Sequence, residues 1–178
     1  MRTKTVLRYA LTVFFVLLLT VLQTTVLHAA KIFGVIPNLL LSAVVCYSLT
    51  KGDYKAIVFG IGCGLIMDFF GGRTVGMNTL LCLYVSLVCV LLYGGLFNNN
   101  AFVAMLFVLL LSIPYEFLIY FFSLFIWGKT DIVYALLHKI LPCAVYNALI
   151  TFLVYPFTRA LAVEWTNKSK QSFKRART

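Results

Sequence analysis

The sequence predicts an all-α integral membrane protein, a bundle of six transmembrane helices, and three observations carry that prediction. Apolar residues make up 62% of the 178 and charged residues only 11%, against roughly 45–50% and about 25% in soluble domains. A water-soluble fold of this size has too little interior to hide so much apolar surface. The charges are spaced as punctuation, separating runs that suit one bilayer crossing of roughly 20 residues. The fifteen Lys and Arg also fall unevenly on alternate connections, the pattern that sets orientation in a membrane.

Each helix follows from those intervals. Tyr9 to Ala30 gives 22 uncharged residues and the first span, and Ile32 to Thr50 gives 19 more, with Pro37 marking where the second helix proper begins. The third run, Ala56 to Phe70, is short, glycine-rich and interrupted by Asp68. Between Arg73 and Glu116 lie 42 uncharged residues, enough for two crossings, divided by the polar turn Asn98-Asn99-Asn100. The fifth span is Ala101 to Trp127, with Pro114 and Glu116 inside it, and the sixth runs from about Ile140 to Ala162. Residues 1–8 are then a basic N-terminal segment, 9–163 the membrane domain and 164–178 a basic tail.

With both termini cytoplasmic, eleven basic residues lie inside and four outside (Lys31, Arg73, Lys129 and Lys139). That asymmetry supports an even number of spans. The basic start followed by an apolar run also resembles a signal peptide. The run is too long for one, and His28-Ala29-Ala30 is a poor cleavage site. The net charge of +10 is explained by topology, so no nucleic-acid partner is expected. The tail reads as a disordered, solvated segment attracted to anionic lipid, at about 1 kcal/mol per basic residue near the surface. Cys46, Cys63, Cys82, Cys89 and Cys143 lie in apolar runs without metal-ligand spacing and read as buried thiols. No cofactor is expected.

The few polar residues inside the spans are the candidate functional residues. Gly60, Gly64 and Gly76 are expected to be helix-packing residues: Gly60 and Gly64 have the small-xxx-small spacing of closely packed helices, and Gly76 lies in the tight turn into the fourth helix. Asp68 has the reach to cap or pair within that turn, with Arg73 the nearest cation. Glu116 stands in an otherwise uncharged helix, two residues after Pro114. At 1.5 Å per residue it reaches the outer half of the bilayer, and Lys139, His138 and Asn147 share its depth. Gln23, Thr24, Thr25 and His28 form a polar end to the first helix. Gln23, Asp68, Glu116 and Asn147 are therefore expected to serve as internal pairs or partner contacts. Two carboxylates and a His could do acid–base chemistry, but no nucleophile–base motif or phosphate loop accompanies them, and no enzyme is expected.

The ordered set Gln23-Thr24-Thr25, Pro37-Asn38-Leu39, Lys51-Gly52, Gly60-x-x-x-Gly64-Leu65-x-x-Asp68, Gly76-x-x-x-Leu80, Pro114-Tyr115-Glu116, Leu141-Pro142 and Tyr146-Asn147 resembles the rod shape-determining protein MreD family. The resemblance spans about residues 9–160. It departs where many relatives carry Asp after the Pro and this chain has Asn38, so no charge acts there. It implies a non-catalytic inner-membrane scaffold of the bacterial cell-wall elongation (rod) complex. That scaffold would bind MreC and link MreB indirectly to RodA and its penicillin-binding transpeptidase. It also implies a fold similar to the substrate-binding subunits of energy-coupling-factor transporters. The alternative function is then a solute-binding membrane subunit of such a transporter.

Overall fold

The computed structural model describes residues 2–26, 35–71, 76–93, 100–127 and 135–175. Six helices lie among them: α1 (Arg2–Val21), α2 (Leu39–Lys51), α3 (Tyr54–Gly71), α4 (Met77–Leu91), α5 (Ala101–Trp127) and α6 (Leu141–Arg175). Single π-helical turns extend α1 through Leu22–Val26 and introduce α6 at Leu136–Ile140. No strand occurs among the described residues.

The shortest helix organises the bundle. Every residue of α2 is buried, as expected of a helix apolar on all sides, and α2 touches each of the other five helices. Around it, α3 packs on α4 as one antiparallel hairpin and α5 packs on α6, while α1 stands at the periphery against α2 and α3. The core joins Val16 and Leu19 of α1, Leu40 to Leu49 of α2, Cys63, Cys82, Val108, Tyr115 and Val154. Large apolar side chains point outward along α1 (Val13, Phe14) and α5 (Phe102, Leu110), the surface that a bilayer would cover.

Helix lengths depart from the six full spans read in the sequence. Ala101–Phe122 and Leu136–Ala162 are long and apolar enough to cross a membrane. By contrast, α2 has 13 residues and α4 has 15, about 20 and 22 Å at 1.5 Å per residue against a hydrocarbon layer of about 30 Å. The reason is local. Pro37 disfavours helix at Ile36, and Asn38 caps α2 by accepting from Leu41 N at 3.0 Å. At α4, Gly76 takes the left-handed conformation (φ 90°), so the helix cannot start before Met77. The opposite end of α2 closes on Gly52, also left-handed (φ 62°), beneath the Tyr93 ring.

The tail also differs from its expected disorder, since α6 continues to Arg175. Residues 157–175 contain neither Pro nor Gly, so nothing breaks the helix. Arg73, Lys31, His28, Asn98, Asn99 and the Lys129–Asp131 segment lie outside the described residues.

The α3–α4 seam is tight at two glycines, and most severely at Gly64. A Cβ on Gly64 would sit 2.5 Å from Thr79 Cα and 2.9 Å from the Asn78 carbonyl, both backbone atoms that cannot rotate away. At Gly60 a Cβ would sit 2.7 Å from Ser86 Oγ, 2.9 Å from Ser86 Cβ and 3.0 Å from the Cys82 carbonyl, a close but less severe approach, and at Gly62 nothing lies within 4 Å. Gly64→Ala is therefore expected to destabilise the protein by about 1–3 kcal/mol. Gly62→Ala should be neutral, or stabilising by up to about 1 kcal/mol as a better helix former. Thermal melting of both variants in detergent checks this, and equal melting temperatures would show that the two backbones do not meet at Gly64.

Candidate functional site

At the end of the bundle that the sequence assigns to the outside, α2, α4 and α6 all begin. A helix start leaves its first four N–H groups without intrahelical acceptors and carries partial positive charge. In water those groups are solvated; within a hydrocarbon layer only protein can satisfy them. Asp68, Gln23 and Asn147 are arranged around two of these starts, those of α4 and α2.

Asp68 serves α4. Gly76, at the cap position, has no side chain with which to accept, and the carboxylate of α3 reaches across instead. Oδ1 accepts from Asn78 N at 3.1 Å and Asn78 Nδ2 at 3.0 Å, and Oδ2 from Thr79 N at 3.0 Å and Thr79 Oγ1 at 2.5 Å. These backbone groups are the second and third of the helix, the ones a capping side chain normally serves. The Tyr115 hydroxyl of α5 then donates to Asn78 Oδ1 at 2.8 Å, so one network ties α3, α4 and α5. The close approach at Gly64 brings Asp68 within reach. Gly76 itself meets nothing within 4 Å and contributes a turn rather than a packing surface.

Two residues serve α2 besides Asn38. Gln23, in the π-helical turn ending α1, accepts from Leu40 N through Oε1 at 3.3 Å. Asn147 of α6 accepts from Asn38 N through Oδ1 at 2.6 Å. Its Nδ2 donates to Ser112 Oγ of α5 at 3.2 Å, and its carbonyl accepts from Ser42 at 3.4 Å and Thr151 at 2.7 Å. Asn147 and Ser112 are fully buried, so this cluster joins α2, α5 and α6 where no water competes. Ser48 Oγ alone among the described buried side-chain atoms lacks a partner.

Glu116 is placed differently. Its described partner is the Cys143 thiol, 3.6 Å from Oε1, rather than Asn147, which shares its depth. The same sulfur lies 3.6 Å from the Ile36 carbonyl. Among the described residues no group of three or more His, Cys, Asp or Glu could hold a metal ion.

A cleft of about 160 Å³ lies beside this cap cluster, lined by Thr20, Gln23 and Thr24 of α1 with Leu40, Met67 and Asn78. Ligand pockets run at about 300–1,000 Å³, so the cleft suits a few waters better than a solute. A larger groove of about 400 Å³ opens between Phe15, Leu19 and Leu22 of α1 and Ile150, Leu153 and Phe157 of α6, with no polar group to orient a ligand.

The family model described as rod shape-determining protein MreD matches residues 3–163. No curated protein and no solved structure matches the chain, so the expected similarity to energy-coupling-factor subunits is not shown. Thr79, Tyr115, Ser112 and Cys143 were not among the site residues expected from the sequence. Their signal was available only in part, as a Gly-x-Asn-Thr turn next to an intramembrane Asp.

If Asn147 is the hub described, Asn147→Leu leaves the Asn38 N–H and Ser112 hydroxyl unsatisfied and should cost about 2–4 kcal/mol. Ser112→Ala, which removes one contact, should cost about 1 kcal/mol. Unfolding titrations in mixed micelles measure both, and comparable losses would place the two residues outside a shared network.

Proposed function

Since the chain belongs to the MreD family of rod shape-determining proteins, we propose that it is a non-catalytic inner-membrane scaffold of the cell-wall elongation complex. In this reading it crosses the membrane six times with both termini cytoplasmic. It binds MreC through the latter's membrane-anchored part, and couples cytoplasmic MreB to RodA and its transpeptidase. Its basic C-terminal helix rests on anionic lipid.

The observation that carries this reading is the use made of the polar end. Asp68 accepts four hydrogen bonds, all from the start of α4, and Gln23 and Asn147 accept from backbone at the start of α2. A general acid or base needs a free face toward a substrate, and Asp68 presents none. These residues build a rigid bundle that can hold partners in place. A solute-binding transporter subunit draws less support, because among the described residues the polar cleft is small and the larger groove wholly apolar.

Co-expression of the tagged chain with MreC, RodA and its transpeptidase, followed by purification in mild detergent, tests the proposal. MreC is expected to be retained in near-stoichiometric amount, and depletion of the chain should turn rod cells round. Retention of a stoichiometric small molecule without MreC would favour the transporter reading.

A further inference from the structure

Glu116 is the ionisable group that the capping duty does not account for. It stands within a 27-residue helix that is otherwise uncharged, half-buried at the seam of α5 and α6. An ionised carboxylate in a membrane layer needs donors around it, and groups of this kind usually face protein partners or water. Asp68 shows that this fold can supply such donors, with four hydrogen bonds to one carboxylate. Glu116 receives a single thiol, a weak donor, held 3.6 Å away and equally near another acceptor. No other hydrogen bond or ion pair among the described residues reaches it. Lys139, in the π-helical turn before α6, is exposed and acts on Glu116 through its charge without a salt bridge to it among the described residues.

Its position on the helix adds direction. The buried edge of α5 carries Ala104, Val108 and Tyr115, while the opposite side exposes Leu110, Phe117 and Phe121. Glu116 lies at the margin between the two. The exposed side forms an aromatic ridge, with Phe117 and Phe121 ring centroids 6.3 Å apart. A helix lying on that ridge would bring its own side chains to the carboxylate.

We propose that Glu116 is an intramembrane docking point that receives a basic side chain, Arg or Lys, from the membrane-spanning segment of a partner protein packed along the exposed ridge of α5. A cation satisfies the charge and several of the carboxylate lone pairs together, bidentately if it is Arg. This rests on the partner reading above, and MreC is the partner with which it is tested.

The experiment uses the full chain, purified with and without co-expressed MreC. Glu116→Gln keeps the shape and loses the charge. Its melting temperature without MreC is expected to equal that of the unaltered chain, while MreC retention falls about tenfold or more, as when one member of a buried charge pair is truncated. Glu116→Lys should abolish retention, and an acidic replacement at one basic position of the partner's membrane segment should restore it. Lys139→Gln should retain MreC normally. Unchanged retention by Glu116→Gln, where the unaltered chain binds MreC, overturns the docking point and leaves the partner reading standing. A lowered melting temperature of Glu116→Gln alone makes the residue structural, and loss on Lys139→Gln makes its counterion internal; either result overturns the proposal. If the unaltered chain retains no MreC, both readings fall.

Discussion

Backbone N–H groups at the start of a helix have no acceptor of their own, and a hydrocarbon layer provides none. This constraint shapes the polar end of the bundle. Helices α2 and α4 are only 13 and 15 residues long, and their starts are served by side chains of other helices. Asp68 crosses from α3 to cap α4, Gln23 crosses from α1 and Asn38 acts locally for α2, and Asn147 crosses from α6 to the backbone of Asn38. Each of the crossing bonds also fixes the position of one helix against another.

Packing and capping therefore depend on one another. The backbone approach at Gly64 sets the distance over which Asp68 must reach, and Tyr115 extends the same network to α5. Burial of α2 on every side makes it the axis on which these contacts converge. A bundle held this way has a polar end tied across helices and broad apolar flanks. Once the caps are accounted for, Glu116 differs from Asp68 in receiving one thiol hydrogen bond where Asp68 receives four.

The number and order of helices were legible in the spacing of charges, while for Asp68 the glycine turn left capping and pairing with Arg73 both open, and the hydrogen bonds to Asn78 and Thr79 show the cap. Which partners each polar residue meets was not. Asn147 shares the depth of Glu116, yet the amide turns to Asn38 and Ser112, because rotation about the helix axis is set by packing and leaves no trace in residue spacing. The start of α2 was misplaced only slightly, since Pro37 marks the boundary while Asn38 makes the cap. An Asn fills that role as well as an Asp, being an equally good N-cap, which accounts for the absence of a charge there. The tail was read as disordered from its charge, but the lack of helix breakers carries α6 through it.

The claim that Asp68 replaces the missing cap of α4 is tested most directly by hydrogen exchange at the amides of Asn78 and Thr79 in detergent-solubilised protein. First-turn amides of an uncapped helix exchange readily, whereas amides bonded to a buried carboxylate are protected. Protection close to that of mid-helix residues such as Val85, lost in Asp68→Ala while Val85 stays protected, is the predicted result. Rapid exchange at Asn78 and Thr79 in the unaltered protein would contradict it.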